Sequence, residues 1–255
     1  MFTVAEGRPL CEKGPGLMAD SSAVSNNESA GVDFDLMYRG ETVAQGLSFD
    51  RVPWDIGRPQ PLLVEFEKAG SITGEVLDAG CGPGDTAIYL AGLGYRVTGL
   101  DIAAAAIDQA SRRAAEQGVS IVFEVADATV LDGYDGQFDT VVSSQLIHCL
   151  NPEQRRAHVA ALTRVLEPGG RLIQFSANFA AGVETFGLYS ISEDELRTTF
   201  TAPDWSIVGL RAGHMEGIKP PMQLLNQFAQ YNFHPEFTDD GLMLMPVWAL
   251  EAQRL

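Results

Sequence analysis

The chain has 255 residues, 45% of them hydrophobic, so it is long enough to bury one large core. Its formal net charge of −17 opposes the phosphate neutralisation that supplies most nucleic-acid affinity, so nucleic acids and anionic membranes are disfavoured partners. No stretch approaches the ~18 uninterrupted apolar residues of a membrane-spanning helix. The first residues also lack the basic patch and apolar run of a secretory signal. We therefore expect a cytoplasmic protein.

Cysteine and histidine spacings give no sign of a disulfide framework or a metal site. Cys11, Cys81 and Cys149 are an odd number without paired spacing, which favours a reducing compartment. The histidines are scattered and lack the short spacings of metal ligands, so no metal is predicted.

The first sixty residues do not have the pattern of a sheet or of long helices. Residues 1–32 mix Gly, Ser, Asn, Glu and Pro without periodicity, which predicts a flexible tail. Residues 33–61 carry aromatic side chains among prolines, and their PWDIGRPQP run is too rich in proline for a regular element. We expect residues 33–61 to pack as an ordered cover on one domain that spans residues 33–255.

Residues 75–177 alternate short β-rich runs with helical stretches, which predicts a doubly wound α/β domain with a mostly parallel sheet. The predicted strands are 75–79, 95–100, 120–125, 138–144 and 170–178, and the predicted helices are 85–94, 103–118 and 152–170. In residues 178–255, a capping box at Ser192 and Glu195 begins a helix, and 204–212 and 244–252 are predicted strands. The long connection 213–241 between these strands indicates a lid or pocket wall.

The strongest chemical signal is the glycine loop after the first predicted strand. Asp78 is followed by Gly80, Gly82 and Gly84, which let the backbone turn tightly and approach a ligand. Dinucleotide, flavin and S-adenosylmethionine (SAM) sites all use such loops, and a tight turn without a ligand is the simpler alternative.

Two further carboxylates follow neighbouring predicted strands. Asp101 follows the second strand, where it can accept hydrogen bonds from a ribose or cap the next helix. Asp127 ends the third strand, where an adenine ring would lie. Polar groups at three strand ends along one sheet edge describe a nucleoside site.

The order and spacing of VLDAGCGPG, VTGLD, VADA, FDTVVSS and LEPGG resemble those of the class I SAM-dependent methyltransferases. The resemblance implies a seven-stranded sheet that ends in an antiparallel hairpin, with SAM as cofactor and S-adenosylhomocysteine (SAH) as product. It implies that Asp78 lies near the methionine amino group, that Gly80 and Gly82 pass under the cofactor, and that Asp101 holds the ribose. The other cofactor contacts that it implies are Gly84, Ile102, Asp127, Ala128 and Ser143.

A narrower resemblance concerns PWDIGRPQP, which is similar to the PWDxGxPxP segment of the thiopurine, halide and thiol methyltransferase group and of related bacterial enzymes that methylate heterocycles. It implies that Trp54 and Tyr38 close the cofactor site against water. The alternative is that Trp54 only packs the cover onto the sheet.

The methyl acceptor is expected beyond the fourth strand, near His148. His148 can serve as a general base that removes an acceptor proton, or it can be a polar wall residue. Cys149 beside it is expected to be inert packing, because methyl transfer from SAM needs no covalent enzyme intermediate. The candidate lining residues of an aromatic pocket in the insertions are Phe179, Tyr189, Met215 and Phe233.

These residues predict an enzyme that methylates a small aromatic or heterocyclic molecule and is a monomer or homodimer. A hydroxyquinolone or quinol oxygen is the first expected acceptor, and a thiol or ring nitrogen the second. A thiol or halide methyltransferase is the alternative within the family. Two other classes stay open from the sequence. An NAD-dependent oxidoreductase would use the glycine loop, although GCGPG lacks the GxGxxG spacing. A non-catalytic SAM-binding regulator would keep the cofactor motifs without an acceptor pocket.

Overall fold

A computed structural model describes residues 32–41, 51–178, 190–230 and 233–255, and these form an eight-stranded sheet flanked by helices. Of the residues singled out above, Phe179 and Tyr189 lie outside the described residues, as does the segment 1–31. The strands are β1 Glu75–Ala79, β2 Arg96–Asp101, β3 Val122–Val125, β4 Phe138–Ser144, β5 Leu166–Ala177, β6 Trp205–Gly217, β7 Glu236–Phe237 and β8 Met243–Arg254. The α-helices are α1 Phe34–Tyr38, α2 Pro61–Lys68, α3 Asp85–Gly92, α4 Ala104–Gln117, α5 Pro152–Val165, α6 Glu193–Thr199 and α7 Met222–Gln230.

The strand order is β3-β2-β1-β4-β5-β8-β6, with β7 paired to β8. The first five strands are parallel, and β8 runs antiparallel to both β5 and β6. The predicted seven-stranded sheet with a terminal antiparallel hairpin is therefore confirmed, and the two-residue β7 adds an eighth strand. The order reverses between β1 and β4, and ligands of doubly wound sheets bind at such a reversal.

Helices cover both faces of the sheet because its central strands are apolar on both sides. Val76 and Leu77, neighbours on β1, belong to two different hydrophobic clusters on opposite faces. One cluster includes buried apolar side chains from α2 and α3, and the other includes buried apolar side chains from α5 and α6. This arrangement confirms the doubly wound α/β fold.

The structure differs from the sequence prediction mainly at element boundaries. β5 begins at Leu166, so the LEPGG run belongs to a strand and not to the preceding helix. The cover contains the short helix α1, whose N-cap Asp33 accepts a hydrogen bond from the Leu36 amide. The connection predicted as a lid contains the end of β6, α7 and β7.

None of the helices in the described part of the chain is long and apolar enough to cross a bilayer. Within the same residues, no three His, Cys, Asp or Glu side chains are grouped so that they could hold a metal ion.

Candidate active site

The glycine loop joins β1 to α3 at the carboxyl edge of the sheet. Gly80, Gly82 and Gly84 have φ angles of 73°, 52° and 89°, a left-handed region that favours glycine. There is also little room for a side chain at Gly80, because a Cβ added there would lie 3.3 Å from the Leu146 side chain. The Gly80 amide donates to the Leu100 carbonyl oxygen at 2.7 Å, which ties the loop to the end of β2.

Two buried carboxylates lie beside this loop. Asp78 is 1% exposed, the Ala87 amide donates to its carboxylate, and its Oδ2 has no hydrogen-bond partner among the described residues. Burial, with the nearby charges of Asp101 and Asp85, raises the pKa of Asp78 to about 7. Below pH 7 the carboxyl group is therefore mostly neutral unless a cation pairs with it.

Asp101 at the end of β2 holds the loop in place. Its Oδ2 accepts a hydrogen bond from the Gly82 amide and its Oδ1 accepts one from the Ala103 amide, each at 2.9 Å. Burial raises the pKa of Asp101, although the backbone hydrogen bonds act in the opposite direction. Ile102 supplies a third backbone hydrogen bond, which still leaves the two carboxylate oxygens at least one lone pair that can accept from a ligand.

Tyr38 and Trp54 of the cover lie on the glycine loop. The Trp54 indole N–H donates to the Tyr38 hydroxyl at 2.9 Å, and the two rings meet edge to face at 6.1 Å. A Cβ added to Gly82 would lie 2.8 Å from that hydroxyl and 3.7 Å from the indole nitrogen. The two aromatic side chains predicted to close the site are therefore in contact with each other and lie against the loop.

A cluster of charged side chains, the Asp55 clamp, holds the cover to α4. It consists of Asp55, Arg51, Arg113 and Asp85. Arg113 donates to Asp55 Oδ2 at 2.5 Å and to Asp85 at 3.2 Å, and Arg51 donates to Asp55 at 2.9 Å. Burial acts to raise the pKa of Asp55, but the hydrogen bonds from Arg113 and Arg51 outweigh it and hold the pKa at about 2.

The other end of the cover is attached to β6. The Ile218 amide donates to the Pro53 carbonyl at 2.7 Å, and the side chain of Gln60 makes two hydrogen bonds with the backbone of Glu216, at 2.8 and 2.9 Å. Arg58 pairs with the Glu216 carboxylate at 2.7 Å. The PWDIGRPQP segment thus bridges the two sides of the carboxyl edge.

The end of β3 lies next to Asp101, because the Ala126 amide donates to the Asp101 carbonyl at 3.0 Å. Asp127 follows directly and accepts hydrogen bonds from the Thr129 amide and hydroxyl at 2.8 and 2.7 Å. His158 has one ring nitrogen 2.8 Å from the Ala128 carbonyl and the other 3.4 Å from the Ser143 hydroxyl. The side chain of Ser143 therefore faces His158 below the edge, whereas Asp127 lies at the edge.

His148 and Cys149 lie in a short 3₁₀ helix after β4. The His148 ring is 4% exposed, and its Nδ1 accepts a hydrogen bond from the Ala177 amide at 3.2 Å. Burial, with the positive charge of Arg155, lowers the pKa of His148 to about 3. Burial also raises the pKa of Cys149 to about 12, so this thiol stays protonated and unreactive at neutral pH.

Sequence reasoning missed Gln145, which directly follows β4. Its φ of 60° is unusual for a residue other than glycine. The nitrogen of its side-chain amide lies 3.0 Å from the sulfur of Met215 on β6. The predicted acceptor residue Met215 is thus brought to the end of β4. Phe233, also predicted to line the acceptor pocket, packs edge-on against Phe228 of α7 at 5.4 Å.

The order of the strands and the glycine loop at the sheet edge define a Rossmann-like enzyme with a nucleoside site. Residues 76–170 match the family described as "Methyltransferase domain". A relative from Mycobacteroides abscessus, 2-heptyl-1-hydroxyquinolin-4(1H)-one methyltransferase, is 34% identical over 87% of this chain and 96% of its own length. The chain belongs to the SAM-dependent methyltransferases and is an enzyme of that family.

Solved structures share the fold of this chain. One, solved in work on the conversion of a disulfide bond into a thioacetal group during echinomycin biosynthesis, is 37% identical, with a TM-score of 0.70 over 87% of this chain and 91% of that one. The magnesium protoporphyrin IX methyltransferase of Synechocystis PCC 6803, solved with bound SAH, is 23% identical and shares the fold, with a TM-score of 0.56 over 76% of this chain and 80% of that one.

The residues of the site fit SAM. Asp78 Oδ2 is a buried acceptor with no partner in the described part of the chain, and it is suited to the ammonium group of SAM. The glycine loop forms a cradle that side chains would fill, and its neighbour Asp101 can accept from a ribose diol. When bound, SAM supplies a methyl group already activated by its sulfonium charge.

Proposed function

We propose that this enzyme methylates an oxygen of a small, flat aromatic or heterocyclic acceptor, such as a hydroxyquinolone or a quinol. The observation that carries this proposal is the similarity to the hydroxyquinolone methyltransferase, which covers 87% of this chain and 96% of that relative, far more than the matched methyltransferase domain alone. The net charge of −17 is consistent with a small-molecule acceptor and disfavours nucleic acid. We place the enzyme in the cytoplasm, as a monomer or homodimer.

Positioning is the main contribution that we assign to this chain. Asp78 holds the amino group of SAM and Asp101 holds its ribose. The loop from Gly80 to Gly84 passes beneath the cofactor, and Ile102, Asp127 and Ala128 border its adenine. Tyr38 and Trp54 close the site, because their rings already lie on Gly82. Water exclusion strengthens the attraction between an acceptor oxyanion and a sulfonium, and alignment of the reacting atoms lowers the entropic barrier.

A sulfur acceptor is the second candidate. The observation that favours it is the 37% identity to the structure solved in work on the conversion of a disulfide bond into a thioacetal group. The resemblance of PWDIGRPQP to the segment in thiol methyltransferases points in the same direction.

Turnover of SAM against an acceptor panel tests both candidates. The panel consists of 2-heptyl-1-hydroxyquinolin-4(1H)-one, a hydroquinone, thiophenol and iodide, with SAH release as the readout. We expect kcat/KM to be highest for the hydroxyquinolone. A clear preference for thiophenol would favour methylation of sulfur over methylation of oxygen. SAH formation that does not depend on any acceptor would contradict both candidates.

A further inference from the structure

Gln145 has a backbone conformation that its residue type disfavours. Two residues other than glycine have a positive φ in the described part of the chain, Leu131 at 48° and Gln145 at 60°. Leu131 is 1% exposed and belongs to the hydrophobic core, whereas Gln145 is partly exposed at the carboxyl end of β4. Backbone strain of this kind is concentrated at functional sites.

The fold fixes the position of Gln145 on both sides. Its backbone amide donates to the Phe175 carbonyl at 2.9 Å, which extends the pairing of β4 with β5 by one residue. The next side chain, Leu146, packs on Gly80 of the glycine loop. Gln145 therefore lies at the carboxyl edge of the sheet, between the glycine loop, which its neighbour Leu146 contacts, and Met215 of β6.

The side-chain amide of Gln145 has a weak hydrogen-bond partner. Its nitrogen lies 3.0 Å from the thioether sulfur of Met215, and a thioether accepts hydrogen bonds poorly. A primary amide has two donor hydrogens and a carbonyl oxygen, so most of its capacity is unused in this contact. A ligand oxygen would be a stronger partner than the sulfur.

We propose that Gln145 orients the methyl acceptor, by donating its amide hydrogen to an acceptor oxygen in place of the Met215 sulfur. The oxygen is a ring carbonyl or an oxyanion. The residue therefore selects heterocycles that carry a second polar oxygen in addition to the one that is methylated. A site with a polar group that needs a partner rejects an analogue lacking it. This inference rests on the proposed small-molecule acceptor and names the residue that recognises it.

The test compares Gln145→Met and Gln145→Asn with wild type. Met keeps the length of the side chain without a donor, and Asn keeps the amide, shortens its reach and tolerates positive φ. Binding of 2-heptyl-1-hydroxyquinolin-4(1H)-one to the SAH complex is titrated by calorimetry, and SAH affinity is measured separately. We expect both variants to raise the acceptor Kd about tenfold while the Kd for SAH changes by less than about twofold. The control Gln137→Asn alters an exposed glutamine bonded to the Gly133 carbonyl, and should change neither constant.

The possible outcomes separate this inference from the proposed function. If wild type binds the hydroxyquinolone and either folded variant binds it within twofold of wild type, Gln145 does not orient the acceptor. If wild type neither binds nor methylates any member of the panel, the acceptor class itself is wrong. If Gln145→Met lowers SAH affinity as strongly as acceptor affinity, the residue supports the cofactor loop and the inference fails.

Discussion

The hydroxyl of Tyr38 lies 2.8 Å from the position that a Cβ would take on Gly82, so a residue of the cover fills the space above the glycine loop. The same hydroxyl accepts a hydrogen bond from the Trp54 indole, and the Gly82 amide donates to Asp101. The cover therefore contacts the glycine loop, and the loop in turn is hydrogen-bonded to the end of β2. A change at Gly82 should affect both cofactor binding and the position of the cover.

Gly82→Ala should weaken SAH binding at least about tenfold. The substitution strains a φ of 52° and places a methyl group against the Tyr38 hydroxyl, so the cover must move. Calorimetry with SAH measures the loss. Gly92→Ala is the matched control, because Gly92 lies in α3 with nothing within 4 Å of its Cβ position, and it should bind SAH normally. Equal affinity for SAH in Gly82→Ala and wild type would show that the loop tolerates a side chain at position 82.

Asp55→Asn should loosen the cover without unfolding the sheet. The change removes the charge that pairs with Arg113 and Arg51, so trypsin should cleave within residues 33–61 faster, and SAH should protect this segment less than in wild type. Glu193→Gln, which breaks an exposed ion pair with Arg197 on α6, is the control and should not alter cleavage. Identical cleavage with and without SAH in wild type would argue that the segment does not cover the cofactor.

The pKa of Asp55 also sets the pH range of the clamp. Because the folded-state pKa is lowered to about 2, the clamp contributes stability above the unfolded pKa of about 3.9 and loses it as the pH falls through 2. At saturating SAH, the Asp55 pairs should therefore protect the cover equally at pH 5 and pH 8, although Asp85 of the same clamp, whose pKa burial raises to about 6, changes its charge in this range. A loss of protection on going from pH 8 to pH 5 would mean that another group controls the cover.

The regular elements were predictable because local patterns determine them. The apolar run of β1, the glycines after it and the capping box at Ser192 each act over a few residues, and the structure contains all three. The Asp55 clamp was not predictable, since Arg113 is 58 residues away from Asp55 along the chain. Gln145 was missed for a related reason. Its positive φ depends on how β4, β5 and β6 meet, and glutamine gives no local sign of it.

Asp78→Asn should stabilise the apoprotein while weakening cofactor binding. The folded-state pKa of Asp78 is raised to about 7, so its contribution to stability is fully present below the unfolded pKa of about 3.9 and is lost as the pH rises through 7. At pH 8 the asparagine avoids a buried charge. We expect its Tm without ligand to exceed that of wild type by a few °C, with SAH affinity reduced at least about tenfold.

Binding of SAH should also release a proton from Asp78. At pH 6 the carboxyl group is mostly protonated in the free enzyme, and pairing with the amino group of the ligand favours its ionised form. Calorimetry at pH 6 in buffers of different ionisation enthalpy should show the release in wild type and its absence in Asp78→Asn. Asp108→Asn, on the exposed side of α4, should behave as wild type. No proton release in wild type would separate Asp78 from the ligand amine.

His148 should act as a neutral ring that positions groups in the site. Its Nδ1 accepts from the Ala177 amide, so in a neutral imidazole Nε2 carries the hydrogen and can donate but not accept. Because burial and Arg155 lower the folded-state pKa to about 3, the stability from the neutral ring is present above the unfolded pKa of about 6.5 and is lost as the pH falls toward 3. His148→Gln cannot be protonated, so its Tm should fall less than that of wild type between pH 8 and pH 5.

The kinetics of His148→Gln distinguish the general base predicted from the sequence from this positioning role. A general base would make kcat rise with pH through the imidazole pKa, and its removal would lower kcat by about 10² or more. With a pKa near 3, the ring stays neutral from pH 5 to pH 9, so we expect the wild-type rate to follow only the ionisation of the acceptor. The loss in His148→Gln should then appear mainly in acceptor KM, and should be equal for an acceptor that is already ionised and one that is protonated. If His148→Gln were impaired on the protonated acceptor alone, His148 would be a general base, because only that acceptor needs its proton removed.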